Sequence, residues 1–74
     1  MKTVTLPVEW RMDRDGSDEL YVGPHSFGWV IYDRPGRYIV EPDFHTTLEH
    51  YYPTREAAMA ALEAAVMALG VKVE

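Results

Sequence analysis

The sequence predicts an α+β fold: an antiparallel sheet of four to five strands, arranged as a meander, with one C-terminal helix packed on one face. Short segments before residue 53 are rich in β-branched and aromatic residues and are separated by turn signals. One alanine-rich segment, residues 54–70, has helical spacing. Because no other segment could cover the sheet, the two parts are expected to form a single domain, 1–74.

The helix is predicted to follow Thr54, a suitable N-cap, and to end before Gly70, which suits a left-handed C′ position. Pro53 ends the preceding strand because proline donates no ladder hydrogen bond. Met59 and Met67 lie away from the centre of the apolar stripe, either as a flexible edge of the core or as a second contact face. The stripe expected to face the sheet comprises Ala58, Leu62, Ala65 and Leu69, with Ala61 and Val66 beside it.

The strands are predicted from alternation, β-branched residues and turn signals. They cover residues 3–10, 19–23, 27–33, 37–41 and 45–52, with a short terminal strand at 71–74. Pro7 indicates an edge strand or a bulge in the first of them. Asp15-Gly16 suits a hairpin turn, and Pro35-Gly36 has the residues that a type II turn requires. Together these signals predict hairpin connections along the meander.

The second face of the sheet is predicted to carry large side chains that one helix cannot cover. The central strand is apolar on both faces, with Trp29 and Ile31 on one and Val30 and Tyr32 on the other. The residues from which this uncovered face is expected to draw are Tyr21, Trp29 or Tyr32, Tyr38, Tyr51 and Tyr52. Clustered exposed aromatic residues favour a recognition surface, whereas a sheet that curls onto itself would bury them.

Composition excludes several classes of protein. There is no cysteine, so neither a disulfide nor a cysteine zinc site is available. No apolar run approaches the ~20 residues of a membrane span, and no signal peptide is visible, so a cytoplasmic protein without membrane contact is expected. The formal charge of −5 argues against direct nucleic-acid binding and is compatible with a basic partner.

No constellation of catalytic or metal-binding residues is visible, so we expect a protein that is not an enzyme and uses no metal or cofactor. Ser17 and Ser26 lack the glycine elbow of a nucleophile. His45 and His50 would face opposite sides of a regular strand because they are an odd number of residues apart. The aspartates around Gly16 imitate only the beginning of a calcium loop, since the glycine comes too early.

The chain resembles small strand-strand-strand-helix domains of bacteria and phages. The residues that carry the resemblance are 29–32, 38–40 and the helix entry Tyr52-Pro53-Thr54-Arg55-Glu56-Ala57-Ala58. In size and acidity the chain is also similar to phage-encoded inhibitors, including anti-CRISPR proteins. This resemblance implies a protein that occludes a nucleic-acid-binding surface of its partner.

The function expected from these features is a non-catalytic protein-interaction module, with a protein partner that has a basic surface. The candidate binding residues are Asp13, Asp15, Asp18 and Glu19 in an acidic loop, Trp29, Tyr32 and Tyr38 on the sheet, and Met59 and Met67 on the helix. One alternative is a single-stranded nucleic-acid module in which the three sheet aromatics stack on bases. Another is a structural homo-oligomer, such as a homodimer, formed through the apolar helix and the edge strand.

Overall fold

The structure is a computed structural model that describes residues 5–69 and 72–73, with side chains for residues 7–69. Its elements, in chain order, are β1 (Thr5–Leu6), β2 (Val8–Met12), β3 (Asp18–Val22), β4 (His25–Arg34), β5 (Arg37–Pro42), β6 (Tyr51–Tyr52), α1 (Arg55–Met67) and β7 (Lys72–Val73). Strands β2 to β6 form a five-stranded antiparallel sheet in sequence order, and α1 packs on one face. The predicted fold class is therefore confirmed.

The first predicted strand is divided at Pro7 into two strands that belong to different sheets. β2 is an edge strand of the five-stranded sheet, whereas β1 pairs in parallel with the terminal strand β7. The division follows from the missing amide proton of proline, which cannot continue a ladder. The Pro7 carbonyl still accepts a hydrogen bond from the Gly23 amide at 3.0 Å. The first two residues of the predicted strand, Thr3 and Val4, lie outside the described residues.

The prediction of a strand over residues 45–52 is wrong for most of its length, since only Tyr51–Tyr52 pairs with β5. The preceding residues form an irregular connection in which Phe44 and Leu48 pack against the core. The β-branched Thr46 and Thr47 lie exposed between these two anchors. Their strand propensity has no effect here because they have no apolar face to bury.

The core lies between the sheet and one stripe of the helix. Its fully buried side chains are Leu20, Val22, Val30 and Val40 from the sheet and Ala58, Leu62 and Val66 from α1. The predicted burial of Leu69 is wrong, because α1 ends at Met67 and the Leu69 side chain is 52% exposed. The predicted C′ glycine, Gly70, lies outside the described residues.

Two polar contacts attach α1 to β2 and β3 of the sheet. The Trp10 indole Nε1 on β2 donates a hydrogen bond to Glu63 Oε1 at 2.7 Å. The Arg55 guanidinium, in the first turn of α1, lies 3.3 Å from the carboxylate of Asp18 on β3. Together they fix the helix across the sheet at both of its ends. With 13 residues, α1 is shorter and less apolar than a helix that could cross a membrane.

The predicted N-cap is confirmed: Thr54 is extended, and its Oγ1 accepts a hydrogen bond from the Ala57 amide at 3.1 Å. Thr54→Ala leaves that amide without its acceptor, and we expect it to lower the free energy of unfolding by about 1 kcal/mol. Urea denaturation followed by circular dichroism measures the change. Thr54→Ser keeps the hydroxyl and serves as the control; an equal loss in this variant would contradict the capping role.

Candidate binding surface

The sheet face opposite α1 carries a contiguous group of aromatic and aliphatic side chains. Strand alternation points them away from the buried Leu20, Val30 and Val40, and α1 packs on the other face together with Phe44 and Leu48. We call this surface the open face and define it by Tyr21, Trp29, Ile31, Ile39 and Tyr51. Trp29, Ile31 and Ile39 are half-buried by their neighbours, and Tyr51 is 51% exposed.

The strand register sets these side chains in rows across the sheet. Ile31 on β4 lies opposite Ile39 on β5, which in turn lies opposite Tyr51 on β6. The next row places Trp29 between two carboxylates, Glu19 on β3 and Glu41 on β5. Directly opposite residues in adjacent antiparallel strands have Cβ atoms about 4.5–5.5 Å apart, so each row is one continuous strip of contacting side chains.

Two arginines lie on the tyrosine rings of the open face. The Arg11 guanidinium is 4.0 Å from the Tyr21 ring centroid and donates a hydrogen bond to Glu9. This hydrogen bond is the main reason that the pKa of Arg11 is raised above its usual value. Arg11 is thus attracted to the quadrupole of the Tyr21 ring, and its charge is neutralised by the Glu9 carboxylate.

The second arginine repeats this arrangement at the other end of the face. The Arg37 guanidinium lies 4.1 Å from the Tyr51 ring centroid and 3.2 Å from the carboxylate of Asp33. Both cations thus have an aromatic ring and a carboxylate as partners within this chain. Arginine and aromatic side chains in fixed positions are typical of the residues that contribute most to protein interfaces.

The three predicted sheet aromatics do not share one surface. Trp29 lies on the open face, whereas Tyr32 and Tyr38 lie on the helix side and pack edge-to-face with centroids 5.5 Å apart. Tyr38 also packs against the core, and Tyr32 is 44% exposed beyond the helix. The expectation that all three could stack on one strand of bases is therefore wrong in its geometry.

The predicted acidic loop separates into residues with different surroundings. Asp13 and Asp15 are exposed in the β2–β3 turn. The pKa of Asp15 is lowered mainly by a hydrogen bond from the Ser17 hydroxyl, and to a smaller extent by one from the Ser17 amide. The expectation that Asp18 is accessible to a partner is wrong. Its side chain points toward the helix, is only 7% exposed and pairs with Arg55. Glu19 points the other way, onto the open face.

The two candidate methionines also have different surroundings. Met59 is half-buried and packs against the core, which agrees with a flexible core edge. Met67 is 55% exposed at the end of α1. Met67 is therefore the more accessible of the two methionines.

The structure adds four residues of the open face that were not among the candidate binding residues: Ile31, Ile39, Tyr51 and Glu41. The sequence contained a partial signal, since alternation along β4 puts Ile31 on the face of Trp29 and Tyr51 was among the aromatics expected on the uncovered face. The Pro35-Gly36 turn places Arg34 opposite Arg37, and Gly36 adopts the expected positive φ of 78°. Regular pairing from this turn would place Ile39 opposite Tyr32, but the register shifts between Tyr32 and Arg34 and places Ile39 opposite Ile31, on the face of Trp29.

The surface formed by residues 7–69 also carries open depressions. A shallow, open depression lies at the tip of the β4–β5 hairpin and is lined by Arg34, Pro35, Gly36, Arg37, Tyr51, Tyr52 and Pro53. Among residues 7–69, whose side chains are described, no three or more histidine, aspartate or glutamate side chains are grouped to hold a metal ion. The open face is therefore the principal candidate.

Comparisons with protein-family models, with curated proteins and with solved structures give no match.

Proposed function

We propose that this protein is a non-catalytic interaction module that binds a partner protein through the open face. The observation that carries the proposal is the row of Ile31, Ile39 and Tyr51 beside Trp29, which lies outside the core on the face opposite α1. Contiguous apolar surface on a small protein is typical of an interaction site, because leaving it in water costs free energy.

The chemistry of the open face suits protein recognition. Tryptophan and tyrosine bring large apolar area at a small cost in side-chain entropy, and they are enriched with arginine among the residues that dominate interfaces. Tyr51 is exposed, and the Arg37 guanidinium already lies against its ring, 4.1 Å from the centroid. Such preorganisation lowers the entropy lost on binding.

The partner that we propose has a basic surface, in keeping with the formal charge of −5. Occlusion of a nucleic-acid-binding surface is one form that this function would take, as in the anti-CRISPR proteins that the chain resembles in size and acidity. The expected compartment is the cytoplasm, because a chain without cysteine has no need of an oxidising environment.

The two alternative functions have less support. Direct binding of single-stranded nucleic acid would bring phosphates close to Glu19 and Glu41, the carboxylates on either side of Trp29. Homodimerisation through the edge strand β2 is opposed by the exposed charges of Glu9 and Arg11, which protect a strand edge from pairing.

Photo-crosslinking in cells that naturally express the protein tests the proposal. A benzophenone amino acid replaces Tyr51 on the open face or, as the matched control, Tyr32 on the helix side; the two tyrosines are 51% and 44% exposed. We expect a discrete covalent adduct from position 51 that is absent from position 32. Adding Trp29→Ser to the position-51 variant should abolish the adduct while circular dichroism shows that the fold is retained.

Three outcomes contradict the proposal: no adduct from position 51, the same adduct from both positions, or an adduct from position 51 that persists in the folded Trp29→Ser variant. Each would mean that the partner, if any, does not contact the open face.

A further inference from the structure

Three aromatic side chains of the open face have carboxylates beside them, and two of the three also carry an arginine. Tyr21 has Arg11, which is paired with Glu9, and Tyr51 has Arg37, which is paired with Asp33. The third aromatic, Trp29, lies between Glu19 and Glu41. No arginine or lysine of the described side chains lies over its ring or within ion-pair distance of either glutamate.

Glu19 is held in position to receive a cation. One of its carboxylate oxygens accepts a hydrogen bond from the Tyr21 hydroxyl at 3.1 Å, and the other accepts one from the Ser26 hydroxyl. Each oxygen can accept a further hydrogen bond, so these contacts orient the group without saturating it. Arg11 lies directly opposite Glu19 on β2 but turns away, toward Glu9 and the Tyr21 ring.

Glu41 completes the arrangement from the other side. It is exposed on β5 and lies directly opposite Trp29. A guanidinium stacked on the indole ring would therefore have a carboxylate on each side, and it could donate hydrogen bonds to both through its planar fork. Tryptophan is also the aromatic side chain that attracts a cation most strongly.

We propose that Trp29, Glu19 and Glu41 form a site for an arginine side chain supplied by the partner protein. The inference rests on the proposed function and specifies its partner: a basic segment that places an arginine over Trp29, with its apolar neighbours against Ile31 and Ile39. The same site disfavours a nucleic-acid ligand. A base stacked on Trp29 would bring its phosphate close to the negative charges of Glu19 and Glu41, and the arginines of the open face, Arg11 and Arg37, are already paired with carboxylates.

Nuclear magnetic resonance titration of the purified protein with a short capped peptide containing a single arginine tests the site. The control is the same peptide with citrulline, which keeps the planar shape and loses the charge. We expect saturable shifts of the Trp29 indole signal and of the Glu19 and Glu41 amides with the arginine peptide alone. The indole of Trp10, the second of the two tryptophans, donates to Glu63 on the helix side and should not shift.

The Glu19→Gln/Glu41→Gln double variant keeps the shape of both side chains and removes their charges. We expect it to bind the arginine peptide roughly fivefold to tenfold more weakly, since each exposed ion pair contributes a modest part of the affinity. Equal shifts with both peptides, unchanged affinity in the double variant, or saturable binding of a single-stranded oligonucleotide at Trp29 would overturn the inference.

Failure of this inference can be distinguished from failure of the proposed function. If the partner binds the open face without an arginine on Trp29, the Tyr51 adduct persists in the double variant and still disappears in Trp29→Ser. If the open face binds no partner, the adduct is absent from the protein with intact glutamates as well.

Discussion

Gly28→Ala is expected to remove a large part of the free energy of unfolding. Gly28 lies on β4 and has a φ of 148°, a backbone angle that residues with a side chain rarely adopt. Strand β5 passes directly beside it. An added Cβ would lie 2.7 Å from the Glu41 carbonyl oxygen and 2.9 Å from the Pro42 Cα. Both atoms belong to the backbone, so relief requires the two central strands to move apart.

We expect Gly28→Ala to lower the free energy of unfolding by at least about 3 kcal/mol, because backbone strain and a steric clash both occur at this residue. A domain of this size has a total stability of roughly 4–11 kcal/mol, so the loss removes a large part of it. Urea denaturation monitored by circular dichroism and tryptophan fluorescence measures the change. A reduced yield of folded protein is the corresponding result if the variant falls below the folding threshold.

Gly16→Ala is the matched control for this substitution. Gly16 also has a positive φ, of 87°, but a Cβ there would meet no atom within 4 Å. Its cost is therefore restricted to backbone strain, about 1 kcal/mol. If Gly28→Ala proved no more destabilising than Gly16→Ala, the close approach of β5 to Gly28 would be incorrect.

Leu62→Ala is expected to lower the free energy of unfolding by about 2–5 kcal/mol, the range for removing a buried leucine side chain. Leu62 is fully buried at the centre of α1, where it packs in one cluster with Val30 and Val40 of the sheet. Truncation leaves a cavity that a rigid sheet cannot fill by collapse. The midpoint of urea unfolding should shift with little change in slope.

Leu69→Ala is the matched control, since it makes the same chemical change at the last residue of the helix stripe that was predicted to face the sheet. The Leu69 side chain is 52% exposed beyond the end of α1, so we expect a loss within about 0.5 kcal/mol. A large effect at Leu69 together with a small one at Leu62 would contradict the position of the core.

The Gly28 and Leu62 variants test the fold that supports the open face, whereas substitutions on that face test binding alone. Glu19 and Glu41 make no ion pair within the described side chains, and Glu41 is exposed. Glu41→Gln should therefore leave the unfolding midpoint nearly unchanged. Glu19→Gln keeps only one acceptor oxygen for the Tyr21 and Ser26 hydroxyls, so we expect it to lower the free energy of unfolding by about 1 kcal/mol. A change in binding without a change in stability in Glu41→Gln is the result that separates the two roles.

Local signals in the sequence determined the succession of elements. The Pro35-Gly36 turn and the Thr54 cap both follow from the chemistry of a few neighbouring residues, and the structure confirms both. Turn residues, caps and side-chain periodicity act over short distances along the chain, so a single sequence is sufficient to read them.

Tertiary structure decided which aromatic residues are covered and which acidic residues are accessible. Alternation separates Trp29 from Tyr32, but only the docking of α1 determines that Tyr32 lies on the helix side. The burial of Asp18 likewise depends on Arg55, a residue far away in sequence. The sequence by itself thus determined most of the strands, the turns and the capped helix. Long-range packing decided the irregular connection before β6 and the open face, because periodicity divides side chains into two sets and only contacts between distant segments determine which set is buried.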